Sequence, residues 1–319
     1  MRTLTIEKND AGQRVDKYLS KALPNLPMSL MYKFIRTKKI KVNRKRTDPK
    51  VMLELGDTVE LFIAEEFFEK KKRSLPSVEK LPPDVVYEDE NILLVNKPSG
   101  LLCHSDEADS EETLIDRVLS YLVLKGEYNP DEEESFAPAL CNRIDRNTAG
   151  IVIAAKNAEA LRVMNEKIKA HQIEKSYLCI VHGKMESRSG CFKNYLFKDQ
   201  KNNRVTVYDR YTKGAKEAET HYRVIDFKNN LSLLEVRLIT GRTHQIRAQF
   251  SHAGHPLLGD GKYGVNREDR KKGYSSQALC SYKLRFAFEG EATALDYLSG
   301  KEVALDRSKI DFLKEFERG

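Results

Sequence analysis

From about residue 83 onward, strand-length apolar runs alternate with longer amphipathic stretches. This change of period restricts the fold more than any other feature of the chain. The short runs are Ile92 to Val95, IVIAAK (151–156), SYLCIVHG, ETHYRVIDF and SLLEVRLI. LIDRVLSYLVL reads as an amphipathic helix. NAEALRVMNEKIKA reads as a helix capped by Asn157, with Ala160, Leu161, Met164 and Ile168 facing inward. THQIRAQFSHAG reads as a third, closed by Gly254. Strands with helices between and after them predict a mixed α+β domain with a largely antiparallel sheet. No run nears the roughly 18 apolar residues of a membrane-spanning helix. The opening MRTLTIEKND lacks the apolar stretch of a signal peptide.

The front of the chain has a different texture. In RVDKYLSKAL, Val15, Tyr18, Leu19, Ala22 and Leu23 recur at helical spacing, and Ser29 precedes a second short helix carrying Met31, Phe34 and Ile35. Ile40 and Val42 flank Lys41 as in a half-buried strand, Asn43-Arg44 suits a turn, and TVELFI reads as another strand. The net charge of +7 sits here: residues 1–64 hold 14 Lys/Arg against 7 Asp/Glu, so the other 255 residues sum to zero. Arg36, Lys38, Lys39, Lys41, Arg44, Lys45 and Arg46 form the densest stretch, as on a surface that meets a polyanion. A merely solvated basic face would read the same way. Residues 65–82, EEFFEKKKRSLPSVEKLP, read as a linker between a module at 1–64 and a domain at 83–319, with Phe67 and Phe68 free to dock on either.

Three segments carry candidate chemistry. In CNRIDRNTAG, Asp145 lies between Arg143 and Arg146, whose guanidinium groups would favour an ionised carboxylate acting as nucleophile or base. A turn-stabilising aspartate in a surface ion pair has the same appearance. In ITGRTHQIRAQFSHAGHPLLGDGKYG, residues 241–244 resemble a helix start suited to an anion, with Arg242 and His244 able to meet phosphate. Arg247 could offer a bidentate fork to Asp145. In EKSYLCIVHGK, Tyr177 could stack on a base and move a proton, or could be a core tyrosine.

His252 and His255 invite a metal reading, but the helix has ended by then and HExxH is absent, so no metal is expected. GxGxxG, Walker and GxSxG motifs are also missing, so nucleotide-cofactor and serine-hydrolase readings have no foothold. Five scattered cysteines without a CxxC pair fit a reducing cytoplasm.

Taken together, YEDENILLVNKPSGL, NRIDRNTAGIVIAAK, KSYLCIVHGK and ITGRTHQIRAQFSHAGHPLLGDGKYG resemble, in order and spacing, the RluA-type pseudouridine synthases. GQRVDKYL and IKVN resemble the alpha-L RNA-binding domain that often precedes them, as in the RluC and RluD branch acting on large-subunit ribosomal RNA. The resemblance implies a pseudouridine synthase fold with a small α/β RNA-binding domain, an RNA partner and no cofactor. It makes Asp145 the catalytic aspartate, Tyr177 the tyrosine packed on uracil and Arg247 the partner of the aspartate, with Arg143 holding the site opened by the flipped base. Asp145 would attack the sugar or remove its proton to give a glycal, and both routes stay open. Three positions depart from the family pattern: Asn142 replaces His, Ala149 replaces Ser, and Cys280-Ser281 replaces His-Ala. They bear on substrate contacts, since the aspartate and both arginines are kept. The expectation is a cytoplasmic, monomeric enzyme that isomerises uridine in ribosomal RNA. The alternatives are a non-catalytic RNA-binding or ribosome-assembly protein and a base-releasing glycosylase.

Overall fold

The computed structural model describes residues 1–69, 82–105 and 112–317. It divides into two compact units. The first comprises Met1–Pro82, Asp116–Ala139 and Ala155–Arg162, and the second the remainder. Residues 70–81, the greater part of the expected linker, lie outside the described residues.

In the first unit, β1 (Arg2–Thr5), β2 (Ile40–Val42), β3 (Lys45–Arg46) and β4 (Thr58–Leu61) form an antiparallel sheet in the order β1-β4-β2-β3. Helices α1 (Val15–Ala22) and α2 (Met28–Arg36) pack on its core, which Ile6, Leu23, Leu26 and Leu53 from the connections complete. Val15, Tyr18, Leu19, Ala22 and Leu23 are all buried, as their helical spacing requires. Helix α2 begins one residue before Ser29. Pro27 is its N-cap and its carbonyl accepts the first helical bond, from Met31 N at 2.9 Å, so Ser29 falls inside the first turn. Asn43 and Arg44 both have positive φ (50° and 64°), which closes the two-residue β2–β3 hairpin in the twist its strands need. The chain after β4 docks forward. Phe67 meets Phe34 edge-on at 6.1 Å, and the Arg2 guanidinium covers Phe68 at 5.1 Å. Helix α3 (Leu114–Leu124), most of which also belongs to this unit, forms where LIDRVLSYLVL was read as helical.

The second unit is built on an eleven-stranded sheet. Its strands are β5 (Asp84–Glu88), β6 (Ile92–Lys97), β7 (Ala139–Leu140), β8 (Ala149–Ala155), β9 (Ile173–His182), β10 (Ser189–Asp199), β11 (Arg204–Tyr208), β12 (Lys216–Lys228), β13 (Leu231–Leu238), β14 (Leu279–Phe286) and β15 (Glu302–Ala304). The order is β11-β10-β12-β13-β9-β14-β8-β6-β5, with β15 on β14 and β7 on β8. The β8–β14 pair is parallel, and β9 pairs antiparallel with both β13 and β14. This is the mixed, largely antiparallel sheet expected. Gly150 is fixed by that parallel pair. It faces Ser281 with φ of 117°, where any Cβ would strike the Ser281 backbone. Helix α4 (Ala158–Lys169) is capped by Asn157, whose Oδ1 accepts from Ala160 N at 2.8 Å. Helix α5 (Gln245–His252) is followed by Gly254 at φ 83°. Among the described residues no helix is long and apolar enough to cross a membrane.

Candidate active site

Asp145 lies in the loop between β7 and β8, and that loop is tied down residue by residue. Asn142 Oδ1 accepts from Ile153 N at 2.8 Å, and Thr148 N donates to Asp145 O at 3.0 Å. From the end of β6 and the segment after it, Lys97 Nζ (2.8 Å) and Gly100 N (2.9 Å) both donate to Arg146 O, and Ser99 Oγ donates to Asn147 O at 3.0 Å. Lys97 is fully buried and also donates to the carbonyls of Pro98 and Leu101, at 2.9 and 2.7 Å. Three acceptors match the three protons of an ammonium. Burial lowers the Lys97 pKa to about 8, which still leaves it charged at neutral pH.

Above this loop, α5 presents Arg247. Its NH1 donates to Asp145 Oδ2 at 3.0 Å, while Nε and NH2 fork onto both oxygens of Asp260, at 2.7 and 3.0 Å. Asp260 is buried and also accepts the amides of Lys262 and Tyr263, at 2.9 and 3.2 Å. Burial alone would raise its carboxyl, but the hydrogen bond and charge of Arg247 outweigh that and hold it low. A buried guanidinium with two of its three nitrogens committed to Asp260 can present the third to Asp145 in one orientation only.

His244 completes the arrangement, with Nε2 at 3.7 Å from Asp145 Oδ2. Burial lowers its pKa to about 4, so at neutral pH the ring is uncharged. The Tyr263 hydroxyl accepts from Val205 N and lies 2.8 Å from His244 Nδ1. With a neutral ring, the tautomer that accepts the Tyr263 proton on Nδ1 carries its own on Nε2, toward Asp145.

Tyr177 sits on β9 in the apolar cluster with Cys179, Val236, Ile246 and Leu279. Burial pushes its phenol up to about 12, so it remains neutral. Asp145, Tyr177, His244 and Arg247 line one cavity of about 1100 Å³, and Arg143 and Arg242 line it too, both with exposed side chains. Its wall holds ten Lys/Arg against two carboxylates, Asp145 and Glu174. Such a wall suits a polyanion.

Residues 91–252 match the family model described as RNA pseudouridylate synthase. The chain belongs to the RNA pseudouridylate synthase family. Residues 13–59 match the S4 domain. The synthase is 33% identical over 317 residues to ribosomal large subunit pseudouridine synthase C of Escherichia coli (strain K12), covering 96% of this chain and 95% of that protein. It is 30% identical over 292 residues to the protein of the same name from Haemophilus influenzae, covering 90% and 87%. The solved structure of human RNA pseudouridylate synthase domain containing 4 has the same fold, with a TM-score of 0.56 at 21% identity, over 72% of this chain and 91% of that one.

Two readings of the synthase's sequence are corrected by its geometry. Arg247 gives its fork to Asp260 and a single bond to Asp145, because Asp260 is the more buried carboxylate and faces the guanidinium edge-on. The 241–244 segment is not a free helix start. Helix α5 begins at Gln245 after a left-handed His244 (φ 51°), and Gln245 Oε1 takes the Arg242 amide at 2.9 Å. Arg242 Nε donates to Glu217 O at 3.0 Å, which places its side chain on the cavity rim. In the first unit, Arg36, Lys38, Lys39, Arg44, Lys45 and Arg46 are exposed and Lys41 is half-buried. They run from the end of α2 through the β2–β3 hairpin. Asp260 and Tyr263 were not singled out in the sequence. The signal was GDGKYG, with an aspartate 13 residues after Arg247, but nothing in that spacing shows the two meeting.

Proposed function

We propose that this chain isomerises uridine to pseudouridine in RNA, and that its substrate is large-subunit ribosomal RNA. The observation that carries the reading is the line of charge Asp260–Arg247–Asp145, which ends on a partly exposed carboxylate beside the buried Tyr177. The reaction breaks the bond from uracil N1 to the sugar and forms one from C5 to the same carbon. C5 loses a proton and N1 gains one, so no atom or electron comes from outside. Asp145 works on the sugar, by attack or by proton removal, and Arg247 keeps it aimed. Tyr177, neutral and rigid, is the surface on which the extruded base packs. Arg143, Arg242 and His244 face the surrounding phosphates and sugar. The base must first leave its stack at a cost of a few kcal/mol, offset by this packing and by the basic wall.

The module at 1–64 supplies phosphate affinity through Arg36, Lys38, Lys39, Lys41, Arg44, Lys45 and Arg46, and the domain at 83–319 supplies the chemistry. The working unit in this reading is a monomer, placed with its ribosomal RNA in the cytoplasm. The test is Asp145→Asn assayed by tritium release from uridine-labelled ribosomal RNA, with binding measured in parallel. Release should vanish while RNA binding persists, and turnover by the variant would overturn the reading. Carbodiimide mapping of ribosomal RNA from cells with and without the gene would show the target.

A further inference from the structure

Away from the cavity, three metal-type donors meet on the antiparallel pair β10–β12. Cys191 and His221 stand directly opposite each other in register, and Glu219, two residues before His221, projects from the same face. His221 Nε2 donates to Glu219 Oε1 at 2.6 Å, and Cys191 Sγ donates to that same oxygen at 3.9 Å. All three donor atoms lie within 4.8 Å of one another. We propose that Cys191, Glu219 and His221 bind a divalent ion of the zinc class, with a fourth position open to water.

The donor set is one thiolate, one imidazole and one carboxylate, which suits zinc better than the oxygen-seeking magnesium or calcium. Two protons now point at a single carboxylate oxygen, and a cation would replace both. The thiol proton leaves to solvent, and the imidazole proton moves from Nε2 to Nδ1. Tetrahedral ligands at about 2.0–2.3 Å from zinc stand roughly 3.3–3.6 Å apart. The His221–Glu219 contact therefore opens slightly and Cys191 closes slightly, within the reach of side-chain rotation.

The surroundings hold the carboxylate in place. Lys193 Nζ sits on the other Glu219 oxygen, Oε2, at 3.2 Å, and can stay there as an outer hydrogen bond. Glu219 N donates to Thr240 Oγ1 at 2.9 Å and Glu219 O accepts from Gln245 Nε2 at 3.0 Å, which fixes the backbone beneath. The histidines that looked metal-like in sequence are engaged elsewhere: His252 with Asp209, and His255 with the His182 carbonyl. The Cys191 pair with Glu219 spans 28 positions, so sequence spacing hides it.

The experiment titrates the metal-free full chain with Co²⁺ as a spectroscopic probe, then competes it with Zn²⁺. One equivalent of Co²⁺ should give a near-ultraviolet thiolate-to-cobalt band that Zn²⁺ abolishes, with about one proton released per ion in weak buffer. Cys191→Ser should remove the band. His221→Ala, which keeps the thiol, should weaken Co²⁺ binding by at least about tenfold. Uridine isomerisation should be unchanged in both, since no step of it passes through these residues. Absence of the band at one equivalent, or its persistence in Cys191→Ser, would overturn the proposal.

Discussion

Asp260 touches no reacting atom in this reading, yet the direction of Arg247 depends on it. Replacing it by Asn keeps the shape but leaves a buried guanidinium short of one negative partner. The expected cost is about 3 kcal/mol of folding stability. A tilt of the Arg247–Asp145 bond should lower kcat by roughly a hundredfold with little change in KM. Urea unfolding and steady-state kinetics on Asp260→Asn check both, and wild-type turnover would remove its positioning role. His244 makes a pH prediction of definite sign. Burial, with Arg247 and Lys262 acting in the same direction and Asp145 opposing, lowers its pKa to about 4 in the folded chain, against roughly 6.5 when unfolded. Between those values the unfolded chain binds a proton the folded one refuses. Stability should therefore climb as pH rises from about 4 to about 6.5, and His244→Gln should flatten that climb. Urea midpoints at several pH values measure it, and equal slopes in the two proteins would contradict the assignment.

At the scale of elements, the Asp145 loop is held by a neighbouring turn more than by its own residues. Lys97→Met would fill much of the same volume but strip hydrogen bonds from the carbonyls of Pro98, Leu101 and Arg146. A loss of about 2 kcal/mol or more is expected, since the Pro98 and Leu101 carbonyls lose their partner while Arg146 O keeps the Gly100 amide, and each unsatisfied carbonyl costs about 1–3 kcal/mol. Thermal unfolding reads it, and an unchanged midpoint would mean the loop holds without this anchor. Sequence shows Lys97 as a lysine beside a proline and not where its ammonium points. Elements with a dense apolar code were readable: α1, α3 and β8 lie where their periodicity put them. The strands β10 and β11 were not anticipated. They alternate mostly exposed with half-buried residues, and only Leu196 and Val205 are fully buried, so their apolar signal is faint. The pairing of Arg247 with Asp145 was legible as a possibility, while the owner of the fork was not. Asp260 and Arg247 meet only after the chain has turned at Gly254 and Pro256.

For the whole molecule, net charge by segment is a poor map of where charge acts. The 255 residues after position 64 sum to zero, yet the cavity they build has ten basic side chains on its wall and two acidic ones. Carboxylates that balance the count in sequence lie on other surfaces and do little to the local field. Two basic regions should therefore contribute to RNA affinity, and they should separate by what else they change. Each phosphate neutralised on single-stranded RNA adds about 0.7 to the slope of log Kobs against log salt. Replacing Arg44, Lys45 and Arg46 together by Ala should lower that slope by about 2 while leaving kcat at saturating RNA unchanged. Replacing Arg143 and Arg242 by Ala should lower it by about 1.4 and reduce kcat as well, because these two stand at the edge of the Asp145 cavity. Binding titrations across a salt series, paired with tritium release, give both numbers for each variant. A front-module triple variant that lowers kcat but leaves the slope intact would reverse this division of labour.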